Sequence, residues 1–336
     1  LHLQPVITVR EAEAVYDYCW YPHMNSGDQA TCCFLSSTRE HPVHLWDAYT
    51  GLRRCTYAAF DHMDQICAPN SVAFNLDGTQ IYCGFKNLIQ IFHTDRPGRD
   101  SVRRPTTPNK RSREGQKGLV SAITFNPDRS GMYAVGTFSG SVGLYDEKNN
   151  ELLYLLTDLK MKGVTQIEFS PDGRFLYSAS RKSDQILCWD IRNTGAVISR
   201  FARDGDTNQR LGFSLDPSGQ FLSTGDQKGQ VLVYDACATS EPEPLATFEA
   251  HKDAVSSAMF HPYMPLLATC SGQRRRLRWT TGNGFAVSAD SEEESDDSDD
   301  DHAEAGRDDD LEEGAYVGEA EIDSSVRLWK LCVLGG

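Results

Sequence analysis

What this chain lacks narrows the field first. No stretch approaches the roughly 18 uninterrupted apolar residues that a membrane-crossing helix needs, so no membrane span is expected. The opening residues, Leu1-His2-Leu3-Gln4-Pro5-Val6, lack the apolar run of a secretory signal. They also lack an initiator Met, which reads as a fragment of a longer chain. Ten cysteines are present, yet none forms a Cys-x-x-Cys pair and no Cys/His cluster has zinc spacing. Cys19, Cys83, Cys188 and Cys270 sit inside apolar runs, where thiols act as small buried hydrophobes of a reduced, intracellular protein. There is no Gly-x-Ser-x-Gly elbow and no Gly-x-x-x-x-Gly-Lys phosphate loop. Carboxylates abound, but the Asp residues recur at a repeated turn position, where a turn role accounts for them better than a catalytic cleft. The expectation is a protein without catalysis, cofactor, metal or small-molecule substrate.

The net charge of −15 suggests an acidic protein that avoids nucleic acid. It misleads, because 15 Asp/Glu against the single basic Arg307 fall between Asp290 and Glu313. The rest of the chain is close to neutral, and the question of partners belongs to that body.

What is there is a repeat. Phe74-Asn75-Leu76-Asp77-Gly78 is followed by Phe125-Asn126-Pro127-Asp128 and Phe169-Ser170-Pro171-Asp172-Gly173. Leu215-Asp216-Pro217-Ser218-Gly219 and Phe260-His261-Pro262 continue the series at a spacing of about 45 residues, the WD40 period. Each copy closes a short apolar strand and opens a tight turn, in which Pro presets φ and Asp bonds the local backbone. A second strand with small residues follows, and then a third that ends in an aromatic–acid pair or its relic. Examples are Trp46-Asp47, Tyr145-Asp146, Trp189-Asp190 and Tyr234-Asp235. Fourth strands are weaker, as at Leu152–Thr157, Val197–Phe201 and Leu245–Phe248. No helical period is sustained. The pattern is all-β, and the superperiod selects a WD40 β-propeller.

Six blades are recognisable, at 13–58, 68–107, 118–157, 163–202, 209–249 and 253–334, within a propeller spanning 13–334. Seven are expected in the intact protein. Residues 1–12, through Pro5-Val6-Ile7-Thr8-Val9, read as the outer strand of a missing or ring-closing blade, since an open ring exposes strand edges. His251, before Lys252-Asp253, reads as a structural blade residue.

In such a blade the loops joining second to third strand, and those joining one blade to the next, share one face. That face should carry Arg39, Lys86, Arg181, Lys182, Lys228 and Arg274, with Lys110, Arg111, Arg113, Gln209 and Arg210 in inter-blade loops. Arg181, Lys182 and Arg210 rank first, because neighbouring blades would bring them together. A basic face on a near-neutral body suits a phosphate backbone, and unpaired RNA offers bases to arginine and to Asn208 or Gln209. An acidic protein partner, or solvation alone, stays open on charge placement.

Residues 274–322 interrupt the last blade with a disordered composition. Ser291, Ser295 and Ser298 precede acidic runs, as substrates of acidophilic kinases do. A tolerated insertion is one reading. An acidic flap competing with phosphates for the basic face is the other.

The loops carry a resemblance. Val15-Tyr16-Asp17-Tyr18-Cys19-Trp20-Tyr21, Ser36 to Gly51, and Thr94-Asp95-Arg96-Pro97-Gly98-Arg99-Asp100 resemble the telomerase Cajal body protein 1 family. So do Thr207-Asn208-Gln209-Arg210, Leu215 to Leu222, and Pro265 to Arg274. The similarity spans nearly the whole chain. It implies a scaffold that binds the CAB-box loop of small Cajal body RNAs and of telomerase RNA, concentrates them in Cajal bodies and supports telomere maintenance. It further implies telomerase reverse transcriptase, dyskerin and coilin as partners, a link to DNA repair, and a nuclear location with some cytoplasmic presence. Two departures stand out: the family's first blade and long N-terminal region are absent, and the acidic insertion is longer and more charged. A peptide-binding adaptor in a chromatin, DNA-repair or ubiquitin-ligase complex is the alternative.

Overall fold

The computed structural model describes residues 5–109, 112, 114–193, 196–272 and 323–331. Among the described residues the chain forms six blades of a β-propeller. Blade 1 holds β1 (Val15–Trp20), β2 (Cys33–Thr38), β3 (Val43–Asp47) and β4 (Arg53–Tyr57). A small hairpin, β5 (Ala59–Phe60) with β6 (Ile66–Cys67), precedes blade 2. Blade 2 is β7 (Ser71–Phe74), β8 (Gln80–Phe85), β9 (Leu88–His93) and β10 (Ser101–Pro105). Blade 3 is β11 (Val120–Phe125), β12 (Met132–Thr137), β13 (Ser141–Asp146) and β14 (Leu152–Leu156). Blade 4 is β15 (Val164–Phe169), β16 (Phe175–Ser180), β17 (Gln185–Asp190) and β18 (Val197–Ala202). Blade 5 is β19 (Phe213–Leu215), β20 (Phe221–Gly225), β21 (Gln230–Asp235) and β22 (Ala246–Glu249). Blade 6 shows three described strands, β23 (Val255–Phe260), β24 (Leu266–Ser271) and β25 (Val326–Lys330). All these pairs are antiparallel, joined in sequence order.

The repeat motif does at each turn what its residues dictate. Asp172 accepts from Arg174 N at 3.1 Å and from Ser170 Oγ at 2.5 Å, closing the turn between β15 and β16. The small residues of the second strands lie at the crowded interior. The outer strands β4 and β10 hold arginines and little apolar pattern, so the sequence marks them faintly.

The core is a series of layers between blades. One unites Leu35, Val43 and Tyr57 with Val72, Phe74 and Ile81 of the next blade. A second joins Tyr82, Ile89 and Ile91 to Phe125, Tyr133 and Tyr145. Three more follow, at blades 3–4, 4–5 and 5–6. Among the described residues no such layer joins blade 6 to blade 1. The first strands show the consequence. In β15, Ile167 and Phe169 face the preceding blade and are 6% and 5% exposed. Their counterparts in β1, set by the same register and bulge, are Tyr18 and Trp20, which are 60% and 49% exposed.

Two outer edges are clasped by the next blade. Gly98 exchanges hydrogen bonds with the backbone around β4, its N donating to Thr56 O at 2.9 Å and its O accepting from Ala58 N at 2.8 Å. Ser240 does the same to β18, through Ile198 O and Arg200 N. Residues 5–12, expected as an outer strand, form no strand. Glu11 instead turns inward, to His44 at 3.1 Å and to Trp46 Nε1 at 3.1 Å.

Candidate nucleic-acid interface

One position recurs on the loop face. The residue directly after the second strand is Arg39 in blade 1, Lys86 in blade 2, Phe138 in blade 3 and Arg181 in blade 4. Arg39, Phe138 and Arg181 each donate their N–H to the carbonyl just ahead of their own blade's first strand: Ala14, Leu119 and Gly163. Lys86 pairs as an antiparallel bridge with Leu119. These bonds stitch the loops within blades to the loops between blades, so both sets share a face, as expected. At this position Arg39, Lys86 and Phe138 are exposed and Arg181 is half-buried.

The loops of blades 4 and 5 are joined by backbone hydrogen bonds. Lys182 N donates to Thr207 O at 3.1 Å, and Gln227 N donates to Asp204 O at 2.9 Å. Arg181 Nη2 donates to Asn208 Oδ1 at 3.3 Å, while its guanidinium stands 5.4 Å from the Phe138 ring centroid. Lys162 Nζ donates to Lys182 O at 2.9 Å. Lys182 adopts φ +45°, a left-handed conformation held by the surrounding bonds. Gln209 is half-buried, its N–H bonded to Thr207 Oγ1 at 3.1 Å. The structure therefore brings Arg181, Lys182, Asn208 and Gln209 into one group.

Other expected cations are engaged elsewhere. Arg39 pairs with Glu40 at 3.3 Å, both exposed. Lys228 pairs with Asp204 at 2.6 Å. Arg210 reaches Asp17 on β1 at 3.6 Å. Lys110, Arg111, Arg113 and Arg274 lie outside the described residues, as do the insertion 274–322 and Ser291, Ser295 and Ser298.

Beneath this surface, Arg203 is buried and donates to Leu211 O at 2.9 Å and to Thr224 Oγ1 at 3.0 Å. Burial pushes its guanidinium down to about 10. It pins the loop that presents Thr207 to Arg210. Toward the interior, β15 sends Gln166 to Phe213 of blade 5, and burial pushes the Glu168 carboxyl up to about 7. His251 is enclosed, with Thr269 Oγ1 at 2.8 Å and Asp323 at 3.4 Å, and Trp329 Nε1 donates to the same Thr269 hydroxyl. Desolvation lowers the His251 pKa, and the Asp323 carboxylate opposes that shift. Among the described residues no group of three His, Cys, Asp or Glu converges as a metal site.

A count of charges passes over Phe138 and Lys162. The signal for Phe138 was its place in the repeat, aligned with Arg39, Lys86 and Arg181. The signal for Asp17 and Asp204, which neutralise two of the expected cations, was only three-dimensional.

Comparison with known proteins follows this geometry. Residues 120–242 match a family model described as a lactonase, seven-bladed beta-propeller, and residues 242–275 match a WD domain, G-beta repeat. Telomerase Cajal body protein 1 of Bos taurus is 42% identical over 275 residues, covering 81% of this chain and 50% of its own length. The Homo sapiens protein is 41% identical over 80% of this chain and 49% of its own, and the Drosophila melanogaster homolog 36% identical over 81% and 48%. This propeller belongs to the telomerase Cajal body protein 1 family. The chain spans about half the length of these relatives. A crystal structure of the Cps50 (Swd1) beta-propeller domain of Myceliophteria thermophila superposes with a TM-score of 0.59 at 17% identity. That match covers 78% of this chain and 81% of the other, and shows the fold alone. The family is one of WD40 scaffolds.

Proposed function

We propose that this propeller is a non-enzymatic RNA-binding scaffold. It captures the CAB-box loop of small Cajal body RNAs and of telomerase RNA and localises these ribonucleoproteins to nuclear Cajal bodies, in support of telomere maintenance. The observation that carries the reading is the group formed by Arg181, Lys182 and Asn208 beside the exposed Phe138. It offers cations for phosphates and polar and aromatic groups for unpaired bases. Arg39, Lys86, Gln209, Arg210 and Lys228 add contacts around it, with Lys110, Arg111, Arg113 and Arg274 in flanking loops. Telomerase reverse transcriptase, dyskerin and coilin are the protein partners that go with this role. The acidic insertion, with Ser291, Ser295 and Ser298 as phosphorylation sites, then competes with RNA for the basic face.

The deciding experiment is binding of the purified chain to a labelled CAB-box hairpin and a loop-scrambled control at one fixed salt. Preference for the intact loop, lost in the triple variant Arg181→Ala/Lys182→Ala/Arg210→Ala, is the expected result. Equal weak binding to both hairpins rejects it and leaves the second reading, a peptide-binding adaptor. That reading draws on the carboxylates at Arg39, Arg210 and Lys228, which thin the charge of the face.

The same reading includes a seventh blade between blades 6 and 1, in an intact protein longer than this chain. Its support is the exposed Tyr18 and Trp20 and the want of a layer there among the described residues. A longer chain that shields Trp20 from iodide quenching is the expected result, and unchanged quenching rejects it.

A further inference from the structure

We propose that Phe138 and Arg181 form a stacking site for one unpaired base of single-stranded RNA, with the flanking phosphates held by Lys162 and Lys182. This rests on the RNA reading above and names the chemical unit held and the residues that hold it.

Phe138 is 41% exposed on a loop face otherwise chosen for charge. Its ring is seated rather than loose. A Cβ on Gly163 would come within 3.1 Å of Phe138 Cδ1, so the ring lies on bare backbone, with nothing between it and the inter-blade loop. The Arg181 guanidinium stands 5.4 Å from the ring centroid and is tethered by Asn208. Lys162 Nζ donates to the Lys182 carbonyl at 2.9 Å, so its ammonium is held at the backbone of the residue next to Arg181, and Lys182 itself is exposed.

The charges differ from their neighbours. Arg39, Arg210 and Lys228 each have a carboxylate partner, whereas among the described residues none of Lys162, Arg181 and Lys182 is in an ion pair. Uncompensated cations around an exposed aromatic face match a nucleotide, which pairs a flat π-surface with an anion. An acidic peptide would use the cations and gain nothing from the ring. Each stacked contact takes about 3.5 Å between planes. A base therefore enters as Arg181 swings away from Phe138, releases Asn208 and closes over the base from the other side. The freed Asn208 amide then faces the base edge.

The test uses the purified chain, a labelled single-stranded RNA, a strand of equal length without bases, and a phosphoserine peptide, all at fixed salt. Phe138→Ala should weaken RNA binding about 5- to 100-fold and leave the abasic strand unaffected, since stacking is the only term removed. Phe138→Trp should retain binding, which guards against a folding defect. Lys182→Ala should weaken both strands alike and lower the salt slope by about one. If Phe138→Ala binds RNA as wild type does while Lys182→Ala is impaired, the stacking site is wrong and the RNA reading stands. Wild-type chain that binds RNA and abasic strand equally rejects the stacking site as well. Preference for the peptide over RNA overturns both readings.

Discussion

The Arg210 guanidinium lies 3.6 Å from the Asp17 carboxylate, tying the loop ahead of blade 5 to the innermost strand of blade 1. Asp17 also accepts from Val72 N at 3.0 Å, so one carboxylate links blade 1 to blade 2 and to the far side of the ring. Burial raises its proton affinity and Arg210 opposes that rise. In Arg210→Ala the Asp17 pKa should climb further, read by carboxyl-carbon NMR. Because Arg210 is half exposed, the stability loss should stay within about 1 kcal/mol. The same pairing makes Arg210→Ala a milder RNA-binding variant than Arg181→Ala.

Glu168 gives the fold a pH dependence of definite sign. Its folded-state pKa of about 7 lies above the ordinary 4.5, because burial disfavours the charged form. The folded chain holds this proton more tightly than the unfolded chain. The contribution is thus fully present below about 4.5 and lost as pH rises through about 7. Denaturation midpoints should fall between pH 5 and 8 on this account, and Glu168→Gln should flatten that slope.

His251 works in the opposite direction. Its folded pKa is depressed by desolvation, so its contribution is lost as pH falls below the ordinary value of 6.5. Thr269 accepts from Trp329 and bonds His251, and removing it leaves both groups without that partner. Thr269→Val should cost about 2–3 kcal/mol in urea unfolding, while Trp329→Phe, which removes one donor only, should cost about 1 kcal/mol.

Two glycines with positive φ should behave differently. Gly229, at φ +90°, has His251 O 2.0 Å from where a Cβ would stand, whereas Gly98, at φ +114°, has nothing within 4 Å. Gly98→Ala should cost only the conformational strain, about 1 kcal/mol. Gly229→Ala must move backbone as well, and should exceed about 3 kcal/mol in the same melt.

How much of this was legible in sequence depends on what carries each feature. The repeat turns and the aromatic–acid strand ends are local, so the blade boundaries emerged from spacing alone. Outer strands β4 and β10 were faint because they bury little and carry arginines. The hairpin at Ala59–Phe60 and Ile66–Cys67 has only two residues per strand, below any periodic signal. At the candidate site, charge counting found Arg181 and Lys182 but missed Phe138, because it scored loops by sign rather than by position in the repeat. Nor could it foresee that Asp17, far away in sequence, would take up Arg210.

The clasps at Gly98 and Ser240 bear on how the ring comes apart. Each segment belongs to one blade and hydrogen-bonds the outer edge of the blade before it. Blades 1 and 2 are latched into one cooperative unit, and blades 4 and 5 into another, while among the described residues blade 3 has no such backbone clasp on an outer edge and is joined to its neighbours by apolar faces and by bonds such as Ser121 Oγ to Val164 O at 2.6 Å. Amide exchange under native conditions should report these pairs as foldons that open together, so the propeller unravels in doublets rather than blade by blade.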